Sequence, residues 1–138
     1  MGWLDYATKE SYEAVTLDDL PSASRVIARL LRRIGFSVVH ETDSAEQAFR
    51  AINNHTKVRA LICDSALPND EGYSLISRLE LHNSDQQLVV LMTTASNPED
   101  QKRALWKGVP VRILKKPFND SDLRLYLEMS HAKQYPPK

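Results

Sequence analysis

Apolar and polar positions fall in blocks along this chain, and the period of the blocks switches back and forth in a regular way. Ala14-Val15-Thr16-Leu17 is a short apolar run closed by Asp18-Asp19, the pattern of a first strand. From Pro21 the period lengthens: Val26, Ile27, Leu30, Leu31 and Ile34 share one helical face, with Arg25, Arg29, Arg32 and Arg33 largely off it. Pro21 suits a first helical turn and Gly35 a stop. Phe36 to Val39 reads as the second strand, and Ser44-Ala-Glu-Gln47 as a capping box before Ala48, Phe49 and Ile52. Val58 to Cys63 is a nearly unbroken apolar strand, which implies burial on both faces. Gly72 breaks the chain before a helix carrying Leu75, Ile76 and Leu79, and Leu88 to Met92 is the clearest strand of all. Asn97-Pro98-Glu99-Asp100 predicts the start of a fourth helix, with a cap, proline at the first position and acids at the positive dipole end. Val111 to Leu114 predicts a fifth strand and Ser121 to about Met129 a last helix.

Strand then helix, five times over, predicts an α/β fold: a doubly wound parallel sheet with helices on both faces. Its functional site belongs at the carboxyl ends of the strands. The chain's 138 residues suit one domain, and apolar and charged shares of 42% and 26% are those of an ordinary globular protein. Lys+Arg and Asp+Glu are both 18, so no global charge points to nucleic acid or an anionic membrane. No apolar run approaches the roughly 18 residues of a membrane span. The start lacks a signal-peptide pattern and Cys63 is the single cysteine, so a cytoplasmic, reducing location is expected.

Chemistry collects at the expected strand ends. Strand one ends in Asp18-Asp19, strand three in Asp64, strand four in Thr93-Thr94 and strand five in Lys115-Lys116-Pro117. Singly, each has a bland explanation: a solvated acidic loop, a turn cap, β-branched strand residues, a solvated charge run. Together, at ends one, three, four and five, they predict a site. Two carboxylates about 4 Å apart repel by roughly 4 kcal/mol at an effective dielectric near 20. A hard divalent ion such as Mg²⁺ relieves this. A lysine and a hydroxyl beside it can cradle a phosphoryl group, and the carboxylate is the natural nucleophile, giving an aspartyl phosphate.

These residues closely resemble the response regulator receiver family of two-component signalling, including chemotaxis-type single-domain regulators, over about Glu13 to Met129. The resemblance rests on Leu17-Asp18-Asp19, on Asp64-Ser-Ala-Leu-Pro68 with Gly72 beyond, on Thr94-Ala95 and on Lys116-Pro117-Phe118. It implies a (βα)5 fold with strand order 2-1-3-4-5. It also implies Asp64 as phosphoacceptor and Mg²⁺ held by Asp19, Asp64 and the Ala66 carbonyl, with Asp18 acting through water. Thr94 and Lys116 would serve the phosphoryl group, and Lys116-Pro117 would be a cis peptide. The phosphoryl donor would be a histidine kinase or a histidine phosphotransfer protein. The receiver then catalyses only its own phosphorylation and dephosphorylation, and switches an interaction surface or an output domain in a longer chain.

The chain also departs from the pattern. Ile113 stands where the family usually has Tyr or Phe, and Gly108 to Lys116 is one residue longer than usual and contains Pro110. The acidic dimer segment of the winged-helix class is absent. Residues 13–131 would be the receiver, 1–12 an N-terminal extension and 132–138 a tail or linker stub. A competing reading is a pseudo-receiver, an interaction module without phosphotransfer. A haloacid-dehalogenase-type phosphatase would need an acid where Ala66 stands, and the acidic first loop would repel a flavin phosphate. Cys63 reads as small core filler, Trp106 as core or partner surface on the fourth helix. His40, His55, His82 and His131 show no metal-ligand spacing.

Overall fold

The computed structural model describes residues 2–82 and 86–138. A short helix α1 (Trp3–Lys9) precedes β1 (Glu13–Leu17), α2 (Pro21–Ile34), β2 (Val39–Thr42), α3 (Ala45–Asn54), β3 (Val58–Asp64), α4 (Glu71–His82) and β4 (Val89–Thr94). A two-stranded hairpin follows, β5 (Leu105–Trp106) and β6 (Val109–Pro110), then β7 (Ile113–Lys115) and α5 (Asp120–Gln134). The main sheet has the order β2-β1-β3-β4-β7 with every pair parallel, the doubly wound arrangement expected.

Alternation along the strands splits the core in two. Val15, Leu61 and Val90 face α3 and α4, where Phe49, Ile52, Leu75 and Ile76 are buried. Ala14, Ile62 and Leu91 face α2 and α5, where Ile27, Leu31, Leu123 and Leu127 are buried, and Leu4 of α1 joins this second face. In α2 the buried stripe is Ile27, Leu30, Leu31 and Ile34, while Val26 is exposed. Gly35 ends that helix at a φ of 127°, a backbone region that glycine enters without penalty. Ser44 caps α3 by accepting the Gln47 N–H, but the Gln47 side chain returns to the N–H of Asp43 rather than of Ser44.

Two of the expected elements differ in kind or position. The second strand runs Val39–Thr42 rather than 36–39: Phe36 is buried in the turn after α2, and pairing with β1 begins at Val39. No α-helix starts at Asn97. Pro98–Asp100 makes one 3₁₀ turn, and the chain then forms the β5–β6 hairpin. The reason is local. Glu99 to Arg103 is polar throughout, and burial then alternates residue by residue: Ala104 buried, Leu105 exposed, Trp106 buried. Lys107 and Gly108, both at positive φ (54° and 79°), form a two-residue hairpin turn, and Pro110 sits on an edge strand where no N–H is needed. Trp106 is therefore core, not helix surface, with its indole N–H donated to the Leu88 carbonyl at 2.8 Å.

At the other end, α5 runs through Gln134, past the helix end expected near Met129. β7 meets β4 only from Met92 onward, which leaves Val90 without a strand partner on that side. The buried Gln134 amide fills the gap, accepting from Val90 N at 2.9 Å and donating to Val90 O at 2.8 Å. Tyr135 donates to Leu88 O at 2.6 Å. Buried backbone groups need such partners, and here side chains supply them. The first residues are equally engaged: Trp3 stacks on His131 of α5 with centroids 5.1 Å apart, and Leu4 N donates to Glu128.

Candidate functional site

The carboxyl end of β1 delivers Asp18 and Asp19. Asp18 is buried, and its Oδ1 accepts the Leu20 N–H at 3.0 Å, a turn that leads the chain into α2. Asp19 is exposed. Asp64 ends β3, 6% exposed, with Oδ1 accepting the Ala66 N–H at 3.2 Å. One carboxylate oxygen from each of the three aspartates lies within 4.8 Å of the other two. The convergence read from strand order is present.

A cation stands among them. Lys116, one residue beyond β7, places Nζ 2.7 Å from Asp18 Oδ2 and 3.8 Å from Asp64 Oδ2. Its own N–H donates to Thr94 O at 2.7 Å, which fixes the lysine to the end of β4. The peptide that follows, Lys116–Pro117, is cis. Lys115 points elsewhere, to Asn97 at 3.5 Å. The buried Thr94 accepts the Ser96 N–H on its hydroxyl at 3.1 Å. Burial raises the Asp64 carboxyl above the usual carboxylate range; the Ala66 N–H and Lys116 oppose the shift, and Asp18 and Asp19 add to it. So the repulsion expected from three aspartates is partly offset within the chain by a lysine, and burial together with the remaining repulsion shows as a raised proton affinity at Asp64.

The donor set around this pocket is all oxygen. Carboxylates from two buried aspartates and one exposed one, with no sulfur or imidazole among them, fit a hard divalent ion better than a soft one.

Behind Asp64 the packing leaves no slack. A Cβ at Gly72, in the first turn of α4, would meet Cys63 Sγ at 2.7 Å and the Asp64 carbonyl oxygen at 2.9 Å. Glycine is required there so that α4 can seat on β3. Burial, with Asp64 as the nearest charge, pushes the Cys63 thiol far up, so it behaves as core filler.

A family model described as the response regulator receiver domain matches residues 14–128. The chain belongs to that family. Helicobacter pylori chemotaxis protein CheY1 is 26% identical to this receiver over 116 residues, covering 83% of this chain and 93% of the relative. Among solved structures, a CheY-like receiver domain from Methylobacillus flagellatus superposes with a TM-score of 0.71 at 19% identity, over 86% of this chain and 98% of that one. A two-component response regulator/GGDEF domain protein superposes with a TM-score of 0.69 at 24% identity, over 89% of this receiver but 50% of that chain. Among the described residues no helix is long and apolar enough to cross a membrane.

Sequence reasoning missed the strap across the loop that follows Asp64. Ser65 Oγ donates to Gln101 at 3.0 Å, Lys102 pairs with Asp70 at 2.5 Å, and the Tyr73 hydroxyl donates to Lys102 O at 3.0 Å. These contacts join residues about thirty positions apart, and no spacing rule signals them. Ile113, at the position of the usual aromatic, is half-buried against the α3–α4 side of the core.

Proposed function

We propose that this receiver is a working phosphoacceptor, phosphorylated on Asp64 in a Mg²⁺-dependent reaction. The observation that carries the reading is the convergence of Asp18, Asp19 and Asp64 on Lys116 at the carboxyl edge of the sheet. Asp19, Asp64 and the Ala66 carbonyl would hold the ion, with Asp18 behind them. When bound, Mg²⁺ supplies positive charge against the phosphoryl oxygens.

The chain's own groups do the rest. Asp64 Oδ1 is engaged by the Ala66 N–H, which leaves Oδ2, facing Lys116, as the attacking oxygen. That oxygen forms a bond to phosphorus as the bond from phosphorus to the donor breaks, and the donor leaves with its electron pair. A histidine of a kinase or phosphotransfer protein is the donor class, and the product is a mixed carboxylic–phosphoric anhydride. Lys116 then has a phosphoryl oxygen as well as Asp18 to pair with, and the Thr94 hydroxyl, which among the described residues accepts only the Ser96 N–H, can turn to donate. Beyond its own phosphorylation and dephosphorylation the receiver catalyses nothing. Its output is a changed surface, for a separate partner or for an output domain in a longer chain.

Acetyl phosphate tests this directly. Intact-mass measurement should show one added phosphoryl group with Mg²⁺, none in EDTA and none in Asp64→Asn. Absence of labelling in the parent would favour the pseudo-receiver, an interaction module that keeps the pocket as a structural ion pair.

A further inference from the structure

At the opposite end of the sheet, three side chains from three different elements meet. Glu13 opens β1, His40 lies in β2 and His55 caps the C-terminus of α3. Glu13 Oε1 and His40 Nε2 are 2.7 Å apart. The His40 and His55 rings stack with centroids 4.2 Å apart and planes inclined by 22°. One ligating atom from each of the three lies within 4.8 Å of the other two.

Their backbones are held in place. Glu13 N–H donates to Lys57 O at 2.8 Å, and His40 pairs with Val15 in the parallel ladder. The His55 carbonyl accepts from Val58 N at 3.1 Å and from Gln86 Nε2 at 2.8 Å. A hydrogen bond between Glu13 and His40 accounts for two of the three groups. His55, exposed at a helix end, stacks on His40 and brings a ring nitrogen within 4.8 Å of the ligating atoms of the other two. Two imidazole nitrogens and one carboxylate oxygen are the donor set of a borderline divalent ion, whereas Mg²⁺ and Ca²⁺ take oxygen.

We propose that Glu13, His40 and His55 form a second metal site, which binds Zn²⁺ with the fourth position left to water. Donors about 2.1 Å from one ion lie within roughly 4.2 Å of each other and an imidazole lone pair lies in the plane of its ring, so closure requires the exposed His55 to turn out of its stack on His40 and swing inward. The ion would tie β1, β2 and the end of α3 together. It would do so about 16 Å from the phosphoacceptor pocket, the length of β1 at about 3.3 Å per residue. The proposal does not depend on phosphorylation of Asp64.

The test is calorimetric titration of the full chain with Zn²⁺ in excess Mg²⁺, so that the aspartate cluster is already supplied with its preferred ion. One equivalent of Zn²⁺ should bind, and Co²⁺ in its place should give the visible absorption of a nitrogen-ligated ion. His55→Gln, a change at the surface that leaves the fold intact, should weaken Zn²⁺ binding roughly tenfold or more, since even outer-shell changes cost that much. His40→Gln should do at least as much, and Asp64→Asn should bind Zn²⁺ like the parent. The proposal is overturned if the parent takes up no Zn²⁺ or if both histidine variants bind it unchanged. It is overturned equally if binding survives in those variants and is lost in Asp64→Asn, which would place the ion among the aspartates.

Discussion

Residues 65–88 and residues 95–112 both connect neighbouring parallel strands, β3 to β4 and β4 to β7, and they do it with different structures. The first connection includes a regular helix, α4, whose Leu75, Ile76 and Leu79 bury one face. The second is a 3₁₀ turn and a β-hairpin, with a single large side chain, Trp106, plugging the core. Parallel neighbours require a long crossover, but what crosses need only cover the sheet and satisfy its backbone. The comparison shows which property is essential. In the first connection burial is spread along a helical stripe; in the second it is concentrated in Trp106, and side chains from outside it, Gln134 and Tyr135 at the end of α5, satisfy the backbone of Val90 and Leu88.

If burial is that concentrated, Trp106→Ala should be the most damaging of these changes. Truncating a buried aromatic costs about 3–5 kcal/mol, and urea denaturation should show a loss of that size. Trp106→Phe should cost less, about 1–3 kcal/mol, because the N–H and part of the buried indole are lost while Leu88 O still accepts from Tyr135. A Trp106→Ala loss below 1 kcal/mol would mean that the hairpin is loosely attached and the comparison is wrong.

The first connection is tested at its tightest point. Gly72→Ala should improve helix propensity by about 1 kcal/mol, yet its Cβ would press on Cys63 Sγ and on the Asp64 carbonyl. A side-chain sulfur can shift; the backbone of a central strand does not. Overpacking of this kind costs about 1–3 kcal/mol, so the variant should melt earlier and take up phosphoryl groups from acetyl phosphate more slowly. Parent-like stability and labelling would show that α4 does not set the position of Asp64.

The same contrast explains what could be read in the sequence. The strands and the residues of the aspartate pocket were legible because buried strands are short apolar runs and because four of the five runs are followed by a chemically distinctive residue, Asp18, Asp64, Thr94 or Lys116; the order of the strands came from the family resemblance. The fourth helix was misread from a true local signal. Asn97-Pro98-Glu99 does start a helical turn, but the alternation at Ala104-Leu105-Trp106 and the Lys107-Gly108 turn are strand signals that outweigh it further on. Three other features depend on contacts between distant residues. The Gln134 plug, the Ser65–Gln101 strap and the meeting of Glu13, His40 and His55 become visible only once the sheet register places them.

The smallest expected effect concerns the pocket itself. Burial raises the Asp64 carboxyl, so between the ordinary value of about 3.9 and the higher folded value the native chain binds more protons than the unfolded one. Stability must then fall as pH rises through that window, and at neutral pH the ionised carboxylate is a standing cost. Asp64→Asn removes the charge and keeps an oxygen for the Ala66 N–H. In EDTA at pH 7 it should be the more stable protein, by no more than about 1 kcal/mol, since the exposed Asp19 marks a pocket open to water and Lys116 already offsets part of the repulsion. On acidification below about pH 4, where the parent carboxyl is also neutral, the gap should close. Mg²⁺ at pH 7 should stabilise the parent and leave the variant nearly unmoved, because only an ion that binds the native state adds stability. If Asp64→Asn is instead less stable at pH 7 in EDTA, the ion pair with Lys116 outweighs the burial of the charge. The aspartates would then be a structural network, and the repulsion attributed to function would not exist.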